Sequence, residues 1–392
     1  WGVDRAGSVS ELASQSQDSQ AIYVHWPWCQ SKCPYCDFNS HVGMDMGMEE
    51  YRDLILRDLA HAKAQFDQRP VHSVFFGGGT PSLMEPFVAG QILENIDQIF
   101  GLAHDAEVTL EANPSSVENA RMQGFAAAGI NRFSLGIQSL RDADLRKLGR
   151  AHDAKTALEA VALAQRHVGR VSIDLIYARH GQKFHDWMTE LDEVLSLGLD
   201  HLSLYQLTIE PGTVYARLHR EGRLALPDDE AGADMYEATL EACANAGLFA
   251  YEISNLAKPG FESRHNQTYW RYEPYLGVGP GAHGRPRLGG QIFETHHAAK
   301  PSDWALGTIQ ANCLSQDDEL SERLVMGLRL WEGLDLSFLQ KMGKQLDHAA
   351  LSKSLPGGLI KEARHDYLQL SPQGRLVLEH LLPIIDGHIT SS

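Results

Sequence analysis

Apolar and polar residues follow two different periods along the first two-thirds of the chain. Short apolar runs typical of buried strands alternate with longer stretches whose apolar residues recur at helical spacing, as Tyr51, Leu54, Ile55 and Leu59 do. Strands are predicted at residues 22–25, 73–76, 107–110, 132–136, 170–177 and 201–209, with helices between them at 48–65, 86–100, 117–128, 154–167 and 184–197.

Repeated strand–helix units require parallel strands joined by right-handed crossovers. Six such units predict an α/β fold, a partial (β/α)₆ barrel whose sheet curls without necessarily closing. A helix at 228–247 and a short strand at 250–254 follow, and residues 257–287, rich in glycine, proline and aromatics, are predicted to be ordered loops.

From about residue 301 the pattern predicts a small, mainly helical, winged-helix-like domain. Its predicted helices cover 321–330, 335–342 and 371–382, and a strand covers 367–370. The predicted organisation is a disordered tail at 1–20, a barrel domain at 21–295 and a C-terminal domain at 296–392.

Composition and charge argue against a nucleic-acid-binding, secreted or membrane-spanning protein. The 392 residues carry a net charge of −17 with no basic stripe, so nucleic acid is not an expected partner. Residues 1–20 are rich in serine and glutamine and lack the apolar core of a secretory leader. No apolar run approaches the roughly 20 residues of a membrane span. We therefore expect a cytoplasmic protein that reaches a membrane only through a partner.

Three of the five cysteines form a CxxxCxxC motif, Cys29, Cys33 and Cys36, directly after the first strand. Three thiolates can hold three irons of a cubane cluster and leave the fourth iron for another ligand. A Cys₃His zinc site with His25 or His41 is the alternative. A disulfide framework fits poorly with an odd number of cysteines, and Cys243 and Cys313 are interpreted as structural.

A glycine loop and a row of polar residues follow successive strands. Residues 77–82 read Gly-Gly-Gly-Thr-Pro-Ser, which either lets the backbone approach a ligand or makes a tight turn. Polar side chains lie at or near the ends of four later strands, where barrel enzymes build their sites: Glu111, Gln138, Asp174, and Tyr205 with Gln206. Any one of them alone would more often be structural.

The cysteine loop, the glycine loop, Glu111, Gln138 and Asp174 together resemble the radical S-adenosylmethionine superfamily. Residues 23–29 (Tyr-Val-His-Trp-Pro-Trp-Cys) and 174–177 (Asp-Leu-Ile-Tyr) are similar to its oxygen-independent coproporphyrinogen III dehydrogenase branch, which also contains the HemW haem chaperones. The resemblance covers residue 21 to the C-terminus. It implies a [4Fe–4S] cluster on the three cysteines and bound S-adenosylmethionine.

Two features separate the two groups of this branch. The dehydrogenases have a further cysteine two residues after the motif, where this chain has Phe38. Residues 265–270, His-Asn-Gln-Thr-Tyr-Trp, match the HNxxYW motif associated with haem in HemW proteins. By resemblance, haem would contact His265, Asn266, Tyr269 and Trp270, with histidine a common axial ligand. Read without the resemblance, the motif is a loop histidine beside two packing aromatics.

The resemblance implies adenosylmethionine contacts from Tyr23, Tyr35, Gly78, Gly79, Thr80, Glu111, Gln138, Arg150 and Asp174. Arg150 would meet the ligand carboxylate, although an isolated arginine is as readily a solvated surface residue. Where the family commonly has Pro-Gly-Gln, this chain has Arg179-His180-Gly181-Gln182, so His180 replaces a rigid proline and leaves that loop's conformation open.

The function implied is a haem chaperone that passes haem to respiratory membrane proteins, with a homodimer as an open expectation. Oxidative decarboxylation of coproporphyrinogen III is the alternative, and a zinc-stabilised binding module is the third hypothesis.

Overall fold

A computed structural model describes residues 19–116, 118–307 and 309–391. The predicted tail at 1–20 lies outside these ranges except for Ser19 and Gln20. Val117, the predicted start of the third helix, also lies outside them.

The first two-thirds of the chain forms a nine-stranded sheet. The strands of this region, with an additional small two-stranded pair, are β1 Gln20–Trp26, β2 Trp28–Cys29, β3 His41–Val42, β4 Val71–Gly78, β5 Leu102–Ala112, β6 Arg132–Gln138, β7 Arg170–Tyr177, β8 His201–Gln206, β9 Phe249–Ala250, β10 Asn255–Ala257 and β11 Tyr275–Val278. The order in the large sheet is β11-β1-β4-β5-β6-β7-β8-β10-β9, and β2 pairs with β3. All neighbouring pairs from β11 to β8 are parallel, and β10 and β9 add an antiparallel edge. The predicted partial barrel with six strand–helix units is confirmed.

Helices connect these strands on the outside of the sheet. They are α1 Met48–Gln65, α2 Pro86–Phe100, α3 Asn119–Ala127, α4 Asp142–Lys147, α5 Ala154–His167, α6 Phe184–Leu195, α7 Val214–Arg220 and α8 Asp229–Asn245, with short 3₁₀ turns at Pro81–Leu83 and Pro114–Ser116. The predicted bounds of α1, α2 and α5 are confirmed. The helix predicted at 184–197 ends at Leu195, three residues before Gly198, and that at 228–247 is slightly shorter at both ends.

The two faces of the strands have opposite character because side chains alternate along a strand. One face packs apolar residues such as Val24, Val74 and Leu110 against the helices in a single large core. The other face is polar and lines the barrel interior, where Ser134 contacts Asp174 and Ser172 contacts His201. Candidate chemistry is therefore confined to the inner face.

Two strands predicted after β7 were wrong in extent. The strand predicted to Ile209 ends at Gln206, because Leu207 joins a separate apolar cluster with Tyr215. The strand predicted at 250–254 is instead a bend between β9 and β10, since the Glu252 carboxylate accepts the Ser254 N–H at 2.7 Å.

The stretch predicted as loops, 257–287, also contains regular structure. It holds helix α9, Arg264–Trp270, whose first turn is capped by Ser263, and strand β11. A small sheet follows, made of β12 His283–Gly284, β13 Arg287–Leu288, β14 Gln291–His297 and β15 Ile309–Cys313, with α10 Pro301–Ala305 before β15. Cys313, predicted in a loop, ends strand β15.

The C-terminal segment has its own apolar core, which includes Leu320, Leu324, Leu368 and Leu381. Its elements are α11 Gln316–Gly327, β16 Leu334–Asp335, α12 Phe338–Lys341, β17 Lys344–Leu346, α13 His348–Ser354, β18 Ile360–Arg364, β19 Tyr367–Leu370, α14 Pro372–Leu376, α15 Leu378–Asp386 and β20 Ile389–Ser391. Helices with a three-stranded sheet confirm the mainly helical, winged-helix-like prediction.

Individual helix bounds in this segment differ from those predicted. The helix predicted at 321–330 starts at Gln316, because Ser315 caps it by accepting the Asp318 N–H at 3.1 Å. The helix predicted at 335–342 is shorter, since Asp335 pairs with Tyr367 in a strand. The helix predicted at 371–382 is broken at Val377.

The domain boundaries stay predictions, and strand β14 runs through the one placed at 295/296. Among the described residues, no helix has the length and apolar character needed to cross a bilayer.

Candidate functional site

The cysteine motif forms a loop that leaves the carboxyl end of β1. Cys29 ends β2, which pairs with β3 so that Cys29 lies opposite Val42. Trp26 and Trp28 anchor the base of the loop with edge-on ring contacts to each other and to Tyr51. The loop therefore starts from a buried aromatic cluster while its three thiols remain partly exposed and unpaired.

Two side chains from neighbouring loops reach these thiols. The Thr80 hydroxyl donates to Cys29 Sγ at 3.5 Å, and Arg150 Nη1 donates to Cys33 Sγ at 3.5 Å. Tyr35 shares a hydrogen bond with Cys33 as well. Partial burial raises the pKa of Cys36, with the two other thiols adding to the effect. The Arg150 guanidinium places a positive charge beside Cys33, and a metal-ligating thiolate carries a negative charge.

The histidines considered for a zinc site have different surroundings. His25 Nε2 donates to Asn39 O at 2.9 Å, and its Nδ1 therefore accepts from Tyr23 Oη at 3.0 Å. Burial lowers the pKa of His25 to about 4, so the ring is neutral and both nitrogens are occupied. His41 Nε2 is buried and has no hydrogen-bond partner among the described residues.

The glycine loop packs directly on the segment that carries Cys29. Gly78 has φ +114°, and a Cβ there would lie 2.5 Å from His25 Cε1. A Cβ at Gly79 would lie 2.6 Å from Trp28 O, and the Gly79 N–H donates to Trp26 O at 2.7 Å. These glycines are needed for close approach of two parts of the chain, whatever ligand they also contact.

Glu111 and Asp174 lie on the inner face on either side of β6. The Gly78 N–H donates to Glu111 Oε2 at 3.0 Å, and the Ser134 hydroxyl donates to Asp174 Oδ1 at 3.1 Å. Burial, together with the charge of Asp174, raises the pKa of Glu111 to about 8. Burial also raises the pKa of Asp174. Two neighbouring, partly buried acids with raised pKa values are typical of a functional site.

Gln138 and Arg150 meet at the end of β6. Gln138 has φ +69°, a strained conformation for a residue other than glycine. Arg150 Nη2 donates to Gly136 O at 2.8 Å, and a Cβ at Gly136 would lie 3.0 Å from Gln138 Nε2. The interpretation of Arg150 as a solvated surface residue is therefore wrong, because the guanidinium lies between β6 and the cysteine loop.

The loop after β7, left open by the sequence, is held by a buried ion pair. Arg179 Nη2 donates to Glu190 Oε2 at 2.5 Å and to Asp144 Oδ2 at 2.9 Å. The other Glu190 oxygen accepts from the Ser139 hydroxyl and the Leu140 N–H, both at 2.6 Å. Arg179, next to the His180 that replaces the proline, thus ties the loops after β6 and β7 together.

The HNxxYW motif lies at the opposite end of the barrel. His265 is on α9 and only 1% exposed, with Nδ1 3.1 Å from Ser73 Oγ, near the start of β4, and Nε2 2.7 Å from Tyr269 Oη. The His265 N–H donates to Glu107, which also pairs with Arg170 at 2.7 Å. The motif is therefore part of a buried polar network and not the loop that the sequence predicted.

The other motif residues point in different directions. Asn266 Nδ2 donates to Tyr251 Oη at 3.5 Å. The guanidinium carbon of Arg329, in the turn after α11, lies 4.5 Å from the centroid of the Trp270 ring. Tyr269 packs edge-on against Tyr275. These four side chains do not form one common apolar surface.

The structure thus divides the predicted site residues into two groups. One group surrounds the carboxyl ends of the strands: Cys29, Cys33, Cys36, Tyr35, Gly78, Gly79, Thr80, Glu111, Gln138, Arg150 and Asp174. Tyr23 lies between the two groups. Its hydroxyl is hydrogen-bonded to His25, and its ring centroid is 6.4 Å from that of His265. Tyr205 is on the inner face but largely exposed, as is Gln206.

Sequence reasoning missed two residues that position the barrel interior and the loops at its rim. Arg132 is buried on the inner face, with Nη1 3.4 Å from Thr109 Oγ1 and Nη2 3.4 Å from His201 Nδ1. The alternation of Arg132 and Ser134 with apolar neighbours along β6 could have revealed it. Glu190 gave no such signal, because it lies within an ordinary amphipathic helix.

Comparison with known proteins assigns this arrangement to a family. The radical SAM superfamily model matches residues 23–194, and the HemN C-terminal domain model matches residues 314–377. The chain is 41% identical to a protein of Haemophilus influenzae named "Heme chaperone HemW", covering 93% of this chain and 97% of that protein. It is 40% identical to "Radical S-adenosyl methionine domain-containing protein 1, mitochondrial" of Bos taurus, covering 96% of this chain and 86% of that protein.

A solved structure supports the fold. Coproporphyrinogen III oxidase (HemN) from Escherichia coli, a radical SAM enzyme, superposes with a TM-score of 0.77 at 20% identity, covering 97% of this chain and 93% of that one. At this identity the likeness concerns the fold alone.

Proposed function

This chain belongs to the radical S-adenosylmethionine superfamily, in its HemW branch, and on that premise we propose that it is a haem chaperone. It would hold a [4Fe–4S] cluster and S-adenosylmethionine, bind haem, and deliver the haem to respiratory membrane proteins. The cluster and S-adenosylmethionine are implied by the superfamily, and haem by the name of the relatives.

The donor set at the carboxyl rim fits a cluster. Cys29, Cys33 and Cys36 are unpaired, partly exposed and carried on one loop, with the Arg150 cation beside them. The remaining cysteines lie elsewhere, Cys243 buried in α8 and Cys313 in β15. Three thiolates would therefore leave one iron for the amino and carboxylate groups of S-adenosylmethionine. When bound, the cluster and this ligand supply one-electron chemistry.

The charged residues around the cysteine loop would bind different groups of S-adenosylmethionine. Arg150 would face the ligand carboxylate, since its guanidinium already lies between the cysteine loop and Gly136. Glu111 and Asp174 would meet ammonium or ribose hydroxyl groups from the inner face. With a pKa of about 8, Glu111 is largely protonated at neutral pH and can donate as well as accept a hydrogen bond.

The observation that carries the choice of chaperone is the side chain at position 38. Where the similar dehydrogenases have a further cysteine, Phe38 stands with 60% of its surface exposed. An exposed phenylalanine beside the cysteine loop supplies apolar surface for a flat macrocycle and no additional thiol.

The resemblance also assigns haem to His265, Asn266, Tyr269 and Trp270. Ligation by His265 requires α9 to move away from the barrel, because both ring nitrogens are hydrogen-bonded and the ring is buried. We further propose that the protein is a cytoplasmic homodimer and that it delivers its haem to a membrane acceptor.

The proposal is tested on anaerobically reconstituted protein by three measurements: iron and sulfide content, haem titration followed by the Soret band, and transfer of bound haem to haem-depleted respiratory membranes. We expect cluster formation, saturable haem binding and transfer. Multiple-turnover formation of protoporphyrinogen IX from coproporphyrinogen III would assign the protein to the dehydrogenases instead. Bound zinc without iron or sulfide would favour the zinc-stabilised module.

A further inference from the structure

Two surface histidines face each other on the hairpin beside the cysteine loop. His283 on β12 pairs with His296 on β14, and their rings stack with centroids 4.2 Å apart and an interplanar angle of 20°. Within the described ranges neither imidazole forms a side-chain hydrogen bond, whereas both ring nitrogens of His25, His201 and His265 do. His283 is exposed and His296 partly so. These rings therefore have nitrogen lone pairs available for a metal.

The histidine pair lies close to the cysteine loop because Asn39 joins the two elements. Asn39 Nδ2 donates to Pro280 O and to Ala299 O, each at 3.0 Å, and so holds the end of the hairpin. The Gly281 N–H donates to Ala298 O at 2.9 Å, two positions before the paired histidines. At about 3.4 Å per residue, the pair is roughly 7 Å along the strands from that end.

The cysteine loop presents exposed apolar side chains, and two lysines lie nearby, one on this loop and one after the hairpin. Phe38 is 60% exposed and Val42, opposite Cys29, is 62% exposed. Lys32 Nζ lies 3.5 Å from Phe38 O, and Lys300, also exposed, directly follows the residue that Asn39 contacts. In a chain with a net charge of −17, two lysines flanking an apolar patch provide local attraction for a carboxylate ligand.

Haem combines an iron that takes an axial imidazole, a flat apolar macrocycle and two carboxylates. We infer that haem binds between the cysteine loop and the β12–β14 hairpin, with His283 or His296 as axial ligand. Phe38 and Val42 contact the macrocycle, and Lys32 and Lys300 face the propionates. This inference rests on the proposed function, and it places the haem on the cluster side of the barrel instead of at buried His265.

The test is a haem titration of the full chain carrying its iron–sulfur cluster. We expect the double change His283→Ala, His296→Ala to lower haem affinity at least tenfold and to alter the Soret band, with iron and sulfide content unchanged. The control is His365→Ala, which removes a histidine whose side chain is 71% exposed on the C-terminal segment. Phe38→Ala provides a second variant, expected to weaken affinity severalfold while retaining the axial-ligand spectrum.

The outcomes separate this inference from the proposed function. If the wild-type protein binds haem no better than an unrelated protein, the proposed function fails and the inference fails with it. If the wild-type protein binds haem and the double histidine variant binds it equally well with an unchanged spectrum, the inference is wrong while the chaperone function stands. Loss of binding in His365→Ala to the same extent would also overturn it.

Discussion

At the scale of single residues, neighbours decide what each candidate side chain can do. Cys29 and Cys33 have polar partners from two other loops, whereas Cys313 ends a surface strand and donates only to the adjoining carbonyl of Leu314. The same residue type thus occupies a ligand position in one place and a solvent-facing position in another.

Each motif cysteine should be indispensable for the cluster, since each would supply one thiolate to one iron. We expect Cys29→Ser, Cys33→Ser or Cys36→Ser to abolish the broad visible absorbance and most of the bound iron and sulfide. Cys313→Ser is the control and should retain both. A full complement of iron and sulfide in Cys33→Ser would exclude that residue as a ligand.

Gly78 should be required for folding of the rim as well as for ligand contact. Gly78→Val places a side chain against His25 and Trp26 O at a backbone angle of +114°, so we expect a loss of about 1–3 kcal/mol in unfolding free energy from overpacking. Chemical denaturation measures this loss. Gly169→Ala, where no atom lies within 4 Å of the added Cβ, should change stability by less than about 0.5 kcal/mol. Equal effects of the two changes would contradict the packing argument.

Glu111 should make stability depend on pH. Its pKa is about 8 in the folded protein against 4.5 ordinarily, so the folded state retains a proton that the unfolded chain loses. This contribution is present in full below about pH 4.5 and is lost as pH rises to about 8. We expect Glu111→Gln to flatten the fall in unfolding free energy across that interval, measured by denaturation in the ligand-free protein. An unchanged slope would show that Glu111 ionises normally.

At the scale of elements, the loops after β6 and β7 are positioned by charge. Arg179 and Glu190 are both buried, and between them they bond the backbone of residues 140 and 176 and the side chains of Ser139 and Asp144. This pair connects the loop that follows Gln138 with the loop that follows Asp174.

Removing one partner of this pair should be costly. Glu190→Ala leaves the buried Arg179 guanidinium with Asp144 as its remaining carboxylate partner, and we expect a loss of about 3 kcal/mol in unfolding free energy. The matched control is Glu193→Ala on the same helix, which breaks a 2.7 Å pair with Arg141 at an exposed position and should cost at most about 1 kcal/mol. Similar losses in the two variants, measured by urea denaturation, would contradict the assignment of Glu190 as the tie between the loops.

At the scale of the whole molecule, the barrel has two chemically different ends. Cysteines, acids and Arg150 gather at the carboxyl ends of the strands, while α9 closes the amino ends with His265 and Glu107. The C-terminal segment contacts this closed end through Arg329, which lies over Trp270 and 3.2 Å from Glu252.

Arg329 should therefore help hold the C-terminal segment on the barrel. We expect Arg329→Ala to speed limited proteolysis between residues 314 and 335 severalfold, because Glu252 is fully buried and would lose its cationic partner. Arg364→Ala, whose side chain is 57% exposed, should leave the rate unchanged. Equal digestion of wild type and Arg329→Ala would show that this contact does not join the two parts.

Patterns in the sequence were sufficient to predict the order of strands and helices, the open barrel, and the group of residues at its carboxyl rim. They were sufficient because the signals are local: helical spacing of apolar residues in α1, and polar residues where strands end. Parallel strands bring those ends to one edge without any knowledge of side-chain contacts. Cys29, Glu111 and Asp174 were predicted together for this reason.

The contacts between residues far apart in the chain could be read only from the folded protein. Gly78 must be glycine because of His25, Arg179 holds its loop because Glu190 is buried beside it, and His265 is closed off because Ser73 and Tyr269 occupy its ring nitrogens. Each contact depends on distances between elements far apart in the chain, which no local period encodes. The stacking of His283 on His296 likewise could not be predicted from the sequence, because it depends on the pairing of β12 with β14.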